Sequence, residues 1–368
     1  MNPPDRLRCA IVGAGAVAQL HAQAIAVHPR ADLVAVTDLV PTKARQFAAQ
    51  WGDPPVYHSV DQLLAAQTPD VVLLCTPPEA HRQQALAAFA AGAHVVVEKP
   101  PASSLDQLDD MIRAGRRAGR ELAVVFQQRS GAAAAHIRGL LGSGALGRPL
   151  LAHCQTLWYR DADYFAAPWR GRWQSEGGGT TLGHGIHQID LLAYLLGDWD
   201  CVWGRLWRLA RQTETEDVST ATVVFANGVV AVVSSSAVSP RQTSAIRIDT
   251  DKATITLEHL YGHGRADWRV TPAPAVSAAE AAAWAFPDQT EDEQSGHAPW
   301  LRDVFDALLA GAPLPATASH PARAFEIVAA IYASAAADGG VVRPADLARH
   351  PTHRSGFASP VADLRPQR

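Results

Sequence analysis

A chain of 368 residues with 48% hydrophobic and 18% charged residues is long enough for two packed domains. It has no apolar run near the roughly 20 residues a membrane-spanning helix requires. The formal net charge of −4 without a basic run argues against a nucleic-acid partner, and the first eight residues, with two prolines, lack the apolar core of a secretory signal, so a cytoplasmic location is expected. Four widely spaced cysteines, Cys9, Cys75, Cys154 and Cys201, suggest neither a disulfide framework nor a zinc cluster, and no metal is expected.

The first element is the strand Arg8-Cys9-Ala10-Ile11-Val12, which runs into Gly13-Ala14-Gly15-Ala16-Val17-Ala18 and an alanine-rich helix. In such a strand–turn–helix the first glycine permits the tight turn and the second lets backbone approach a pyrophosphate. A small third residue, Ala18, lets helix and strand pack closely. The helix start, with Ala16 and Val17, offers N–H groups and a positive dipole end to phosphates. The second strand, Leu33 to Thr37, ends in Asp38, 25 residues after Gly13. An acid near that offset accepts hydrogen bonds from ribose hydroxyls and repels a ribose phosphate, so NAD is favoured over NADP.

Asp70 to Cys75 reads as a buried strand, followed by Thr76-Pro77-Pro78-Glu79-Ala80-His81 and another helix. Thr76 and Pro77 belong at the cofactor crevice, with His81 beside them as a helix-start histidine that orders the loop. The run His94-Val95-Val96-Val97 then ends in Glu98-Lys99-Pro100. Parallel strands deliver ligand-facing residues at their carboxyl ends, and proline holds the residue before it extended. Lys99 is thus a rigidly mounted amine at a cleft edge, with Glu98 next to it at the cofactor. Four strand–helix units within roughly 125 residues predict a doubly wound, mainly parallel α/β sheet over residues 1–126. Just past the strand Leu122 to Phe126, Gln127 is placed at the cofactor. Arg129 lines the same cleft or serves as a structural ion-pair partner.

Beyond Phe126 the texture changes to longer polar–apolar strands at Pro149 to Trp158, Val202 to Ala210, Thr220 to Phe225, Val229 to Ala237, Ala245 to Thr250 and Ala253 to His259. Asn227-Gly228 predicts a two-residue hairpin turn with positive φ at both positions. A second domain over residues 127–347 is therefore α+β with a large open, mainly antiparallel sheet. An Ala/Pro-rich linker spans about 272–299, helices lie near 299–310 and 320–337, and residues 348–368 read as a peripheral tail. This domain carries Trp169-Arg170-Gly171-Arg172-Trp173, then Gly177-Gly178-Gly179-Thr180-Thr181-Leu182-Gly183-His184-Gly185-Ile186-His187-Gln188-Ile189-Asp190. The glycines suit a ligand-hugging entry to a helix on which His187 and Asp190 share a face, so that Asp190 either orients the His187 ring or packs nearby. His184 and His187, three residues apart with no third ligand in view, make a poor zinc site.

Taken in order, the glycine turn, Thr76-Pro77, Glu98-Lys99-Pro100, the glycine triplet and the final helices resemble the glucose-fructose oxidoreductase, inositol dehydrogenase and rhizopine-catabolism (Gfo/Idh/MocA) family, over nearly the whole chain. The resemblance implies a Rossmann domain, a substrate-binding and oligomerisation domain, NAD as cofactor, and a sugar or cyclitol oxidised at a secondary hydroxyl. It puts the family's catalytic lysine on Lys99 and its catalytic histidine on His187. The family commonly has Asp or Asn four residues before that histidine; here that residue is Gly183, and the neighbouring His184 is the candidate to substitute for it. Trp158, Arg160, Tyr164, Trp169, Arg170 and Trp173 resemble the aromatic–arginine segment that family members place over substrate. Ring faces suit the C–H faces of sugars, and guanidinium forks suit hydroxyls or an acid group. On this reading His187 takes the hydroxyl proton while Lys99 holds the oxygen and stabilises the developing alkoxide. The alternatives are a redox-neutral, glycosidase-like use of bound NAD and a non-catalytic nucleotide-binding sensor or repressor. A homodimer or homotetramer is expected, because the open sheet face needs covering.

Overall fold

The computed structural model describes residues 4–287, 292–350 and 356–357. It divides into two compact units, Met1–Gln127 with Gly296–Pro321, and Gln128–Ser295 with Ala322–Arg368.

The first unit alternates strand and helix: β1 (Leu7–Val12), α1 (Ala16–Val27), β2 (Ala31–Thr37), α2 (Pro41–Ala48), β3 (Val56–Tyr57), α3 (Val60–Gln67), β4 (Val71–Leu74), α4 (Pro78–Ala90), β5 (His94–Val97), α5 (Leu105–Ala118) and β6 (Leu122–Val124). The strands are all parallel, in the order β3-β2-β1-β4-β5-β6. This is the doubly wound sheet expected, with its reversal point between β1 and β4. Every residue of β4 is buried, as are Val95, Val96 and Val97 of β5, which is why these strands read as unbroken apolar runs. Helix boundaries follow local chemistry. Ser59 and Ser104 accept the N–H groups of Gln62 and Gln107 at the starts of α3 and α5, and Gly119, at φ 62°, closes α5.

The second unit comprises α6 (Ala132–Gly142), β7 (Pro149–Tyr159), α7 (Trp173–Glu176), α8 (Ile186–Leu196), β8 (Trp199–Trp207), β9 (Val218–Phe225), β10 (Val230–Ser236), β11 (Val238–Thr250), β12 (Ala253–His259), β13 (Trp268–Pro272) and the short α9 (Ala278–Ala282). The chain then returns to the first unit as α10 (His297–Ala310), before α11 (Arg323–Ala336) and α12 (Pro344–Leu347) complete the second. The sheet runs β13-β12-β11-β7-β10-β9-β8. Only the β7–β10 pair is parallel and the other five are antiparallel. β7 buries Ala152, Cys154, Thr156 and Trp158 on alternate positions, the period of a strand with one covered face. The strands differ from expectation in three places: β8 begins at Trp199, ahead of Val202, β11 begins at Val238, well before Ala245, and β13 is an added strand just ahead of the predicted linker.

The β9–β10 turn also departs from the sequence reading. Phe225 N–H donates to Val229 O at 2.9 Å and Gly228 N–H to Phe225 O. Of the two turn residues only Gly228, at φ 86°, has positive φ. The loop therefore has three residues, Ala226, Asn227 and Gly228, with glycine at the one left-handed position.

A single boundary after residue 126 assigns α10 to the second domain, whereas its contacts place it in the first. Trp300, Leu301, Val304, Phe305, Leu308 and Leu309 lie in one core with Leu7, Cys9, Ile11, Ala22 and Ile25. Full burial of such side chains stabilises by about 1.5–3 kcal/mol each. Among the described residues no helix is long and apolar enough to cross a membrane.

Candidate active site

In the first unit, parallel strands bring Gly13, Asp38, Thr76, Lys99 and Gln127 to the carboxyl edge of one sheet. Gly13 sits at φ 94°, and a Cβ there would lie 2.8 Å from Cys75 O. The turn thus presses against the end of β4, and only glycine fits. Gly15 is different: a Cβ at this position meets nothing within 4 Å. It caps α1 with no side-chain hydrogen bond, so Ala16 and Val17 begin a helix whose first N–H groups carry no side-chain cap. Open space above a glycine at a helix start fits a dinucleotide pyrophosphate. Ala18 is fully buried, as close helix–strand packing requires. Asp38 Oδ2 accepts the Ala14 N–H at 2.8 Å and Oδ1 accepts the Val40 N–H at 2.7 Å, tying the acid to the glycine turn.

Thr76 is half-buried and donates to Gln84 Oε1 at 2.6 Å, while Pro77 is exposed at the start of α4. Lys99 is half-buried after β5, and its bond to Pro100 is cis. Gln127, half-buried, opens a single helical turn, Gln127–Arg129.

Two residues placed at the cofactor turn inward instead. His81 is fully buried, with Nε2 2.7 Å from Thr76 O and Nδ1 3.1 and 3.2 Å from Pro100 O and Pro101 O. Both ring nitrogens are committed, so His81 braces the Thr76 loop against the Lys99–Pro100 turn and has no atom left for a ligand. Glu98 is 5% exposed. Its Oε1 accepts from His21 Nε2 at 2.8 Å and His297 Nε2 at 3.0 Å, and its Oε2 accepts the Lys99 N–H at 3.2 Å. Burial works against this charge, but the two imidazoles outweigh it and hold the carboxyl well below the ordinary range. Burial pushes His21 down, leaving a neutral ring that donates to the carboxylate. These three side chains are the one group of metal-ligand type among the described residues, with ligand atoms within 4.8 Å of one another. The cluster has no local signature in the sequence, because His297 lies 199 residues from Glu98.

In the second unit, Thr181–Gly185 forms a π-helical turn leading directly into α8, a local widening common at functional sites. The turn and the first residues of α8 bring His184 and His187 forward, 9% and 7% exposed. His184 Nε2 lies 3.0 Å from Tyr164 Oη, its Nδ1 3.5 Å from Thr180 Oγ1, and its ring 5.1 Å from that of Trp158. The glycine triplet answers to packing rather than to a ligand. A Cβ at Gly178 would meet Tyr332 Oη at 2.4 Å and one at Gly179 would meet Glu216 O at 2.1 Å. Buried Glu216 accepts the N–H groups of Gly179 and Thr181, each at 3.0 Å, and the Tyr332 hydroxyl at 2.7 Å. Burial raises the Glu216 carboxyl, and burial beside Glu216 raises the Tyr332 phenol further. No local pattern in the sequence announces this brace. At Gly183 a Cβ meets nothing within 4 Å, so the position has room for a side chain.

Arg129 and Asp190 correct two expectations together. Arg129 is 2% exposed and Asp190 fully buried. The guanidinium grips both carboxylate oxygens, Nε to Oδ2 at 2.7 Å and Nη2 to Oδ1. Arg129 is therefore a structural ion-pair partner, and Asp190 holds Arg129 rather than the His187 ring. The aromatic–arginine segment does assemble. Arg170 lies over the Tyr164 ring at 3.8 Å and the Trp169 ring at 4.3 Å, and donates to Tyr164 Oη. Arg160 lies over Trp158 and Tyr164 at 4.7 and 5.1 Å. Trp158 itself is 6% exposed and Trp169 40%, so the first is core and the second surface, while half-buried Trp173 packs edge-on against Tyr332.

Residues 7–126 match the NAD-binding Rossmann fold of the GFO/IDH/MocA oxidoreductase family, and residues 134–256 match a C-terminal domain of that family. Among curated proteins, D-glucoside 3-dehydrogenase of Escherichia coli is 33% identical over 52% of this chain and 54% of its own length. An inositol 2-dehydrogenase of Acidothermus cellulolyticus is 34% identical over 40% and 44%. The chain spans about half the length of the curated relatives it matches. The WlbA dehydrogenase of Bordetella pertussis, solved with NADH and UDP-GlcNAcA, superposes with a TM-score of 0.81 at 27% identity, covering 92% of this chain and 98% of that one. With a glycine turn that fits a dinucleotide and both of its domains matched, the chain belongs to the GFO/IDH/MocA family of NAD-binding oxidoreductases.

Proposed function

We propose that the protein is a dehydrogenase that transfers a hydride between a secondary hydroxyl of a sugar, sugar derivative or cyclitol and NAD. The observation that carries this reading is Lys99, delivered by β5 to the same sheet edge as the glycine turn and Asp38. The glycosidic and inositol substrates of the relatives support the substrate class. Bound at the glycine turn through Gly13, Gly15, Ala16 and Val17, with Asp38 on the ribose, NAD supplies the hydride acceptor.

The residues handle the proton and the oxygen. Lys99 donates to the reacting hydroxyl and stabilises negative charge as it develops there, and His187 accepts the proton. His184 and Tyr164, joined by their hydrogen bond, present polar groups to neighbouring hydroxyls. The exposed apolar residues Leu151, Trp203, Val230 and Val232, on three strands of the seven-stranded sheet, form the face that a second copy of the chain would cover.

The test is to incubate the purified protein with NAD or NADP against aldoses, sugar acids, cyclitols and glycosides while following reduced nicotinamide. Reduction of NAD with one hydroxyl pattern supports the reading. Lys99→Ala and His187→Ala should each lower turnover by about 10²–10⁴; rates within a few-fold of wild type would remove these assignments. Light scattering that shows a monomer would remove the oligomer.

A further inference from the structure

At the carboxyl end of β7 the second unit holds Arg160, a cation that no acid neutralises among the described residues. Arg160 stacks on Trp158 and Tyr164, and its Nη1 donates to Tyr159 O at 2.8 Å and Gln242 Oε1 at 3.0 Å. Its Nε is buried without a hydrogen-bond partner. Among the described residues no carboxylate pairs with Arg160. Arg170 is drawn to the same Tyr164 ring and hydroxyl, with its ion-pair contact to Glu176 stretched to 3.6 Å. Glu176 also accepts the Gly171 N–H, so its carboxylate is divided between that N–H and Arg170.

Like charges repel, and two guanidinium groups beside one ring carry a repulsion that an anion between them relieves. Stacking orients a guanidinium without discharging it. A buried donor with no acceptor is rare in folded proteins and calls for an explanation. Arginine Nε also lies on the edge that receives planar two-oxygen acids. Tyr164 connects the two arginines to His184 through the 3.0 Å hydrogen bond, so the cations belong to the group of side chains assigned to substrate above.

We propose that the substrate carries an oxyanion, a carboxylate or phosphoryl group, that docks on Arg160 with Arg170 as the second cation. The natural substrate is thus an acidic sugar derivative rather than a neutral polyol. The inference rests on the dehydrogenase reading for the identity of the site, but it is tested by binding.

The experiment is calorimetric titration of the NAD-loaded protein with a hexose, the corresponding hexuronate and the corresponding hexose phosphate. Wild type should bind one acid at least about tenfold more tightly than the neutral sugar, the scale of a charge-assisted pair. The tighter acid identifies the group, and added salt should narrow the difference. In Arg160→Gln the preference for the acid over the neutral sugar should fall to within about twofold. Arg160→Lys, which keeps charge but loses the fork, should restore part of it. Circular dichroism of both variants verifies that they fold. Equal binding of all three sugars by wild type, or a preference that survives Arg160→Gln, overturns the subsite. Turnover of the neutral sugar without acid preference would overturn it too, while leaving the dehydrogenase intact. Arg160-dependent acid binding without reduction of NAD would uphold the subsite and remove the dehydrogenase.

Discussion

Glu98 offers the sharpest test of how the first unit holds Lys99. Its carboxylate accepts from two imidazoles, both on Oε1, and from the Lys99 backbone N–H. Glu98→Ala removes the acceptor from two largely buried donors and should destabilise the protein by roughly 2–6 kcal/mol, about 1–3 kcal/mol for each group left unsatisfied. Glu98→Gln keeps the shape and an acceptor oxygen. It loses the charge assistance of the two imidazole hydrogen bonds and turns its NH2 toward the Lys99 N–H that Oε2 accepted, together at least about 2 kcal/mol. The pH dependence is specific. A carboxyl held low in the folded state stabilises above its unfolded pKa of about 4.3, and that stability is lost as pH falls through the depressed folded value. The advantage of wild type over Glu98→Gln should therefore be full at pH 7 and shrink below about pH 4.5. Urea unfolding followed by tryptophan fluorescence, stepped from about pH 7 toward pH 3.5, reads this directly. If the two proteins matched at neutral pH, or differed by a constant amount at every pH, the reasoning would be refuted.

The two glycines of the nucleotide turn should separate stability from binding. Gly13→Ala forces a Cβ to within 2.8 Å of Cys75 O at φ 94° and should cost at least about 2 kcal/mol in thermal or urea unfolding. Gly15→Val should fold near normally yet weaken NAD at least about tenfold in a binding titration, because its side chain takes the space left for pyrophosphate. Asp38→Ser, which removes the acid from the ribose position, should narrow the ratio of NADP to NAD dissociation constants by about tenfold or more. Arg129→Met leaves Asp190 buried and unpaired and should cost about 3–5 kcal/mol in urea unfolding.

Much of the first unit was legible because its determinants are local. Glycine spacing, buried Val runs and the Pro after Lys99 each act within a few residues, and the parallel order follows from alternating strand and helix. β3 was not legible, since two residues carry no periodicity. The site divided along the same line. Gly13, Asp38 and Lys99 could be placed from strand ends, whereas Arg129, His81 and Glu98 are decided by partners elsewhere in the chain. Arg129 has the right chemistry for a substrate cleft, and only the position of Asp190, 61 residues on, shows that the charge is already spent. The glycine triplet misled for the same reason. Its glycines admit Glu216 and Tyr332, and such close approaches arise only after the chain has folded back.

The return of α10 to the first unit sets a timetable for biosynthesis. Trp300, Phe305 and their neighbours, which complete a core begun at Leu7, leave the ribosome only after the whole stretch from residue 128 to 295 has been made. At about 5–20 residues per second that interval is roughly 10–30 s. During it the nucleotide-binding half presents the apolar surface meant for α10 while the second sheet is being synthesised. A ribosome-tethered chain ending near residue 295 should accordingly be captured by chaperones and cut by proteases. One extended past residue 321, with enough further chain to clear the exit tunnel, should acquire protease resistance in its first 127 residues.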